Sequence, residues 1–151
     1  MNTVSVIANL LYFLNFKIQP KQTTMEHNIL GWFEIPVRDM ERAIGFYEGV
    51  FGFEMERHKM QELDMAWFPW KESAMGAPGS LVYNEKFYQP QENGVLIYLT
   101  TPSGDLNTDI EKIIQSGGKV IVPRTRISEE HGYMCVFLDS EGNRIALHSR
   151  T

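Results

Sequence analysis

Glu34 and His148 are the two side chains of this sequence whose types could carry acid–base chemistry. Glu34 lies in the apolar segment 30–37, and His148 ends the last apolar segment of the chain. Strand periodicity places Glu34 on the same face as Trp32, and His148 on the same face as Ala146. A carboxylate and an imidazole that meet in an apolar cleft can act as acid and base, or orient a polar ligand. A structural hydrogen bond is the alternative reading of the same pair.

The remaining reactive side chains predict no further chemistry. Cys135 is the only cysteine and lies in the apolar run 134–138, which favours a buried, inert thiol and excludes a disulfide or a multi-thiolate metal site. A single thiol also fits a reducing compartment, and we expect a cytoplasmic protein. His27, His58 and His131 stand in charged or loop segments, so we expect them to be solvated.

Composition favours a soluble globular domain with an acidic surface. The chain has 151 residues, of which 43% are hydrophobic, and its formal net charge is -5 at pH 7. A chain of this length can bury one substantial core without disulfides or structural metals to stabilise it. Nucleic-acid binding proteins normally carry a basic patch or stripe, whereas Lys and Arg are scattered here, so we expect no nucleic-acid partner.

The first 24 residues differ in character from the rest of the chain. Residues 4–16 form an apolar run that is too short to span a bilayer, which needs about 20 residues. A secretory signal is not expected either, because the segment has no cationic start and no small-residue cleavage site. We therefore expect residues 1–24 to form an extension outside a single domain at 25–151, with no membrane contact. An extra helix that docks on the domain or on a partner is the alternative.

The strands and helices that must position Glu34 and His148 belong to an internal repeat of two units. The first unit, residues 28–84, is predicted to run strand, helix, strand, strand, strand. Its helix follows the capping residue Asp39 and stops at Gly52. The apolar stripe of that helix is predicted to be Met40, Ile44, Tyr47 and Phe51. Strands are expected at 30–37, 54–60, 65–70 and 80–83.

The second unit, residues 94–150, repeats the first at an offset of 66 residues. Asp105 corresponds to Asp39 and Gly118 to Gly52, with the helix stripe at Leu106, Ile110 and Ile113. Strands are expected at 95–99, 119–124, 133–138 and 144–148. The repeat predicts an α+β fold in which two tandem βαβββ modules, with mixed curved sheets, enclose a cleft.

Four sequence blocks give this repeat a family resemblance. They are residues 33–47 (FEIPVRDMERAIGFY), 117–120 (GGKV), 132–133 (GY) and 137–145 (FLDSEGNRI). Together they resemble the vicinal oxygen chelate superfamily of glyoxalase I, bleomycin resistance proteins and extradiol dioxygenases, in its small two-module glyoxalase-like branch. The resemblance covers residues 28–150 and implies the glyoxalase/bleomycin resistance-like fold. It implies no single reaction, because one scaffold carries many chemistries.

The resemblance also implies where a metal would be held. In metal-dependent members, the first and last strands of each module supply a His, Gln or Glu set that suits a divalent Lewis acid. Those positions correspond here to Trp32, Ser80, Tyr98 and Ala146. Trp and Ala do not ligate metals, and Tyr and neutral Ser are poor ligands for them. We therefore expect no metal site and no other cofactor.

Three functions remain open from the sequence. The first is a metal-independent protein that binds a small molecule in an apolar, aromatic cleft, with a planar cation favoured by the acidic surroundings. The second is a lyase or isomerase that uses Glu34 and His148. The third is a metal-dependent glyoxalase or dioxygenase, which needs ligands that the sequence does not supply. We expect a homodimer, and we expect the ligand contacts to be Trp32, Tyr98, Ser80, Ala146, Trp67 and Tyr133.

Overall fold

Two four-stranded sheets and two helices make up residues 29–151, the part of the chain that the computed structural model describes. In chain order the elements are β1 (Phe33–Pro36), α1 (Met40–Phe51), β2 (Glu56–Met60), β3 (Leu63–Trp67), β4 (Gly79–Tyr83), β5 (Ile97–Thr100), α2 (Leu106–Gln115), β6 (Lys119–Ser128), β7 (Gly132–Leu138) and β8 (Arg144–Ser149). The predicted α+β fold of two βαβββ modules is confirmed. The apolar run at 4–16 and the expected boundary after residue 24 lie outside the described residues.

Both modules build the same mixed sheet. Sheet 1 has the order β1-β4-β3-β2, and sheet 2 has the order β5-β8-β7-β6. In each sheet the first strand of the module runs parallel to its last strand, and the other pairs are antiparallel. The edges are therefore β1 and β2 in sheet 1, and β5 and β6 in sheet 2.

Both helix starts and the end of α1 are where the sequence predicts them, whereas α2 ends at Gln115 with Ser116 as its C-cap, before the expected Gly118. The Asp39 carboxylate accepts a hydrogen bond from the backbone N–H of Arg42, and Gly52 ends α1 with a left-handed φ of 71°. Asp105 caps α2 by accepting from the N–H of Asn107. These contacts satisfy backbone groups that a helix end leaves without partners.

The buried face of α1 is wider than the predicted stripe. Met40 and Tyr47 are buried as expected, but Ile44 and Phe51 are only partly buried. The other buried positions are Ala43, Phe46 and Val50. The physical reason is that α1 packs on sheet 1 and also touches the second module, where the ring of Phe46 lies 6.1 Å from that of Phe137. A helix held from two sides buries more than one stripe.

Strand bounds differ most from the prediction in β1, β3 and β6. Strand β3 runs Leu63–Trp67 instead of the expected 65–70. The first strand is shorter than the expected 30–37 and starts at Phe33. Strand β6 continues to Ser128, well past the expected end at residue 124. Its pairing with β7 shifts register three times, at bulges that absorb extra residues and let pairing continue. The hydrophobic periodicity and the strand propensity of the sequence do not by themselves reveal such bulges.

The two modules share one core on the helix side of their sheets. Helices α1 and α2 contact each other, and the core cluster includes Ile35 from the first module and Leu147 from the second. No Cα atom of β1 lies within 8 Å of one in β5 or β8. The helix-free surface of each sheet, called here its open face, keeps exposed apolar side chains such as Met60 and Tyr98.

A buried carboxylate connects the second module to the start of α1. Glu141, in the turn between β7 and β8, accepts hydrogen bonds from the backbone N–H groups of Arg38 and Asp39 at 2.9 and 3.0 Å. Arg42 donates to the same carboxylate from Nε at 2.7 Å and from Nη2 at 3.0 Å. Burial acts to raise the pKa of Glu141, but the bonds from Arg42 and the backbone outweigh it and lower the pKa.

Two neighbours of Glu141 extend this junction. The hydroxyl of Tyr47 donates to Asp139 at 2.8 Å, and the side-chain amide of Asn143 donates to the carbonyl of Pro36 at 2.8 Å. Burial raises the pKa of Asp139, and burial together with the Asp139 charge raises the pKa of Tyr47. The short turn between β7 and β8 therefore contacts β1, the residues that follow β1, and α1.

Glu141→Gln should lower the free energy of unfolding by about 2 kcal/mol at pH 7, because the amide loses charge-assisted hydrogen bonds. The pKa of Glu141 is lowered in the folded state, so its contribution is present above the ordinary value of 4.5 and is lost as pH falls through the folded pKa. Urea unfolding should therefore show the difference between wild type and variant shrinking in acid.

The control for this experiment is Glu129→Gln, which removes the same charge from an exposed loop position. It should leave the free energy of unfolding nearly unchanged, since isolated surface charges contribute little. Equal effects of the two substitutions at pH 7 would contradict the role assigned to Glu141.

Candidate functional site

The pairing of three strands places a carboxylate, a hydroxyl and an indole side by side. Ser80 in β4 pairs with Glu34 in β1 and with Trp67 in β3. Directly paired residues project to the same side of a sheet, so all three side chains belong to the open face of sheet 1. Trp32 also belongs to it, because it stands two residues before Glu34.

Aromatic and aliphatic side chains turn this row into a cleft. The Trp32 ring meets that of Trp67 edge to face, with centroids 5.6 Å apart. The cleft, called here the Trp32 cleft, has a volume of about 430 Å³. That volume is within the range of small-molecule sites, about 300–1,000 Å³. Its main lining residues are Trp32, Glu34, Met60, Leu63, Met65 and Trp67.

Glu34 is held in place by two donors. Its Oε1 accepts from the indole N–H of Trp32 at 3.3 Å, and its Oε2 accepts from the hydroxyl of Tyr88. This bond, aided by partial burial, raises the pKa of Tyr88 to about 12. Tyr88 lies in the irregular segment between the modules, where no periodicity or motif marks it. Sequence reasoning therefore missed it.

Three polar atoms on the open face of sheet 1 are buried without a hydrogen-bond partner. They are Nε1 of Trp67, Oγ of Ser80 and Nε2 of His58. The His58 nitrogen lies 3.5 Å from a Glu56 oxygen, but that contact lacks hydrogen-bond geometry. A buried donor without an acceptor costs about 1–3 kcal/mol. The face therefore has unused capacity to bind a polar atom.

His58 belongs to this face, contrary to the expectation that it is solvated. Its ring centroid lies 4.0 Å from that of Trp67, and its side chain is 27% exposed. The charged sequence around it suggested solvent contact. The pairing of His58 with Met65 instead turns the imidazole toward the open face.

The structure does not bring Tyr98 and Ala146 to the Trp32 cleft. They pair with each other in sheet 2, where Ala146 is buried and Tyr98 is 53% exposed. Tyr98 lines a different cleft, together with Phe33 and Phe51. The expectation that Tyr98 faces Trp32 within the chain is therefore not met. The modules join through their helices rather than through their open faces.

Glu34 and His148 do not meet within the chain either. His148 Nε2 lies 2.6 Å from the backbone oxygen of His131, and because a carbonyl can only accept, this nitrogen carries the hydrogen. Glu34 is bonded to Trp32 and Tyr88, and strand β1 stays more than 8 Å from β8 between Cα atoms. The chain by itself thus forms no acid–base pair from these two residues.

Two further side chains lie among apolar neighbours. Tyr133 packs against the core, and the guanidinium of Arg124 sits 3.5 Å above its ring centroid. This predicted ligand contact lies away from the Trp32 cleft, because Tyr133 faces the helix side of sheet 2. Cys135 is fully buried, as expected, and burial raises the pKa of its thiol to about 11.

The residues at the positions implied for a metal do not fit one. Trp32 offers a donor N–H, which already bonds Glu34, and Ala146 has no ligating atom. Ser80 and Tyr98 are neutral oxygens in different sheets. Across residues 29–151, no group of three or more His, Cys, Asp or Glu side chains is arranged to hold a metal ion.

No helix within residues 29–151 is long and apolar enough to cross a bilayer.

Comparison with known proteins gives relatives of similar sequence and fold. A "Glyoxylase-like domain-containing protein" from Didymella fabae is 27% identical over 128 residues, which are 82% of this chain and 95% of the relative. Glyoxalase I from Zea mays is 18% identical with a TM-score of 0.59, and the match covers 79% of this chain. The match covers only 45% of the maize chain.

A second structural relative is a binding protein. TnmS3, an antibiotic binding protein from Streptomyces sp. CB03234, is 23% identical with a TM-score of 0.57, over 84% of this chain and 99% of that one. At these identities the likeness shows the fold. The family model of the Glyoxalase/Bleomycin resistance protein/Dioxygenase superfamily matches residues 29–147. The chain therefore belongs to the Glyoxalase/Bleomycin resistance protein/Dioxygenase superfamily.

Proposed function

We propose that this protein binds a small molecule in the Trp32 cleft without a metal. The observation that carries the proposal is the combination of apolar walls with the unpaired indole N–H of Trp67, which lines the cleft. A site of this kind gains affinity from apolar burial and orientation from a few polar groups. The fold likeness to an antibiotic binding protein supports binding as the activity.

The charges around the cleft favour a planar cation. Glu34 contributes a carboxylate, and no Lys or Arg is among the residues that line the cleft. Two indoles, those of Trp32 and Trp67, stand within reach of a bound ring, and an indole face attracts a cation. A planar cation can therefore combine stacking with charge pairing, whereas a planar anion would be repelled by Glu34.

A second copy of the chain is the proposed cover for the open faces. Trp32 is 38% exposed, and the equivalent position in sheet 2, Tyr98, is 53% exposed. If the open face of sheet 1 packed against that of sheet 2 in another copy, both aromatic residues would be sheltered. The same packing is the route by which Glu34 could approach a His148, as the lyase or isomerase alternative requires.

Sedimentation equilibrium tests this assembly. We expect a dimer, and we expect Tyr98→Glu to shift it to monomer, because a buried carboxylate without a partner is costly at an interface. Ile114→Glu, at an exposed position on α2, is the control and should leave the dimer intact. A wild-type monomer at micromolar concentration would refute the homodimer.

The proposed location is the cytoplasm. The single, buried thiol of Cys135 needs no oxidising compartment, and the fold uses no disulfide within the described residues. Finding the protein in a secreted fraction would contradict this assignment.

Purified protein should carry no stoichiometric divalent metal, because the positions implied for ligands hold Trp32, Ser80, Tyr98 and Ala146. Elemental analysis should show less than one metal equivalent per chain, and EDTA should leave the thermal midpoint unchanged. One bound transition-metal equivalent, lost on chelation with a fall in the midpoint, would overturn metal independence.

Trp32→Ala should weaken binding of a planar cation by about 1–3 kcal/mol, the usual worth of a buried aromatic contact. The probe is 9-aminoacridine, titrated with tryptophan fluorescence as the readout. Trp70→Ala is the matched control, since Trp70 is 49% exposed and lines a neighbouring cleft instead. It should leave the affinity for the probe unchanged.

Stability measurements separate the pocket role of Trp32 from a packing role. A close-packed core tryptophan would cost about 3–5 kcal/mol when replaced by alanine. Trp32 is 38% exposed, so we expect a smaller loss from urea unfolding. A loss in the core range with unchanged affinity for the probe would reject the pocket assignment.

A further inference from the structure

Another cleft lies at the seam between the two modules. It has a volume of about 270 Å³ and is called here the seam cleft. Its walls come from β1, from the segment that joins the modules, and from the first residues of β5 and β8. The lining residues include Glu34, Pro36, Gln89, Ile97, Asn143 and Arg144. Only Glu34 also lines the Trp32 cleft.

Arg144 gives this cleft an unused cationic donor. Its Nη2 donates to the carbonyl of Gly94 at 3.2 Å, but its Nε is buried and has no hydrogen-bond partner. None of the ion pairs found within residues 29–151 involves Arg144. A guanidinium with a buried, unsatisfied N–H gains most from a carboxylate, which can accept two parallel hydrogen bonds.

Glu34 gives the same cleft a negative charge from the other module. Its Cα and that of Arg144 are more than 8 Å apart, because no Cα pair between β1 and β8 is closer. The two side chains form no salt bridge. The bonds from Trp32 and Tyr88 fix the carboxylate of Glu34 where it stands. Opposite charges are thus held on separate walls of one small cavity.

The separation of the Glu34 and Arg144 charges determines which charges a ligand of the seam cleft must carry. A simple anion drawn to Arg144 would also meet the charge of Glu34, and a simple cation drawn to Glu34 would meet that of Arg144. A molecule with both charges can satisfy both walls at once. The volume falls just below the range of about 300–1,000 Å³ for drug-sized ligands, which suits a small metabolite.

We propose that the seam cleft binds a small zwitterion of the α-amino acid class, with its carboxylate on Arg144 and its ammonium group on Glu34. The polar side chains of Gln89 and Asn143 also line the cleft. The site shares only Glu34 with the Trp32 cleft and does not require a planar ligand. It therefore goes beyond the binding activity proposed above.

The test uses L-alanine and two blocked analogues with the full chain, followed by saturation-transfer NMR and by titration. N-acetyl-L-alanine keeps the carboxylate but loses the ammonium charge, and L-alaninamide keeps the ammonium group but loses the carboxylate. We expect L-alanine to bind and each analogue to bind at least about tenfold more weakly, equivalent to about 1.4 kcal/mol. No binding of L-alanine, or equal binding of an analogue, would overturn the proposal.

Variants then identify the anchor. Arg144→Gln should weaken L-alanine binding at least about tenfold, whereas Arg126→Gln, at an exposed position in β6, should not. Arg144→Lys keeps the charge but loses the paired donors, so it should bind more weakly than wild type and more tightly than Arg144→Gln. If Arg144→Gln fails to fold, Arg144→Lys provides the test of the anchor. Unchanged binding in a folded Arg144 variant would refute the anchor.

One further variant tells the two clefts apart. Arg144→Gln should still bind 9-aminoacridine. Met60→Ala, which removes a side chain that lines the Trp32 cleft but not the seam cleft, should still bind L-alanine. Failure of 9-aminoacridine binding alone would reject the planar-cation proposal and leave the seam cleft standing. Loss of L-alanine binding in Met60→Ala, with binding intact in Arg144→Gln, would place the zwitterion in the Trp32 cleft and reject the seam site.

Discussion

The buried carboxylate of Glu141 is the interaction on which the joining of the two modules, and with it the geometry of the seam cleft, depends. It comes from the second module, and it satisfies the two backbone N–H groups that lead from β1 into α1. Donors at a helix start favour a negative charge, and Arg42 adds a paired guanidinium. Since Glu34 lies on β1 and Arg144 follows Glu141 by three residues, this contact sets how the charged walls of the seam face each other.

The sequence predicted the fold well because its signals are local. Asp39 and Asp105 each follow a strand and precede a helix, and the offset of 66 residues repeats that pattern. Caps and periodicity act within a few residues, so they can be read without knowing the partner. The contact that Glu141 makes between the modules could not be predicted from such local signals. In sequence it belongs to a turn, and its partners lie about one hundred residues away.

The candidate site was predictable only within one sheet. Alternation placed Trp32 and Glu34 on one face, and register adds Trp67 and Ser80 to the same row. The approach of one module to the other was not predictable, because two repeated units can pack through their helices or through their open faces. The chain takes the helix-to-helix packing, which leaves Tyr98 apart from Trp32.

The unsatisfied polar atoms of the open face favour the proposed binding role over core packing alone. Ser80 is fully buried, yet alanine there would avoid an unmet hydroxyl, and phenylalanine at Trp67 would avoid an unmet N–H. Each unmet group costs about 1–3 kcal/mol, a large fraction of a domain's net stability. A ligand acceptor that reaches these atoms recovers that energy only when it is bound. The same reasoning applies to Nε of Arg144, so both clefts hold polar capacity that the folded chain itself does not use.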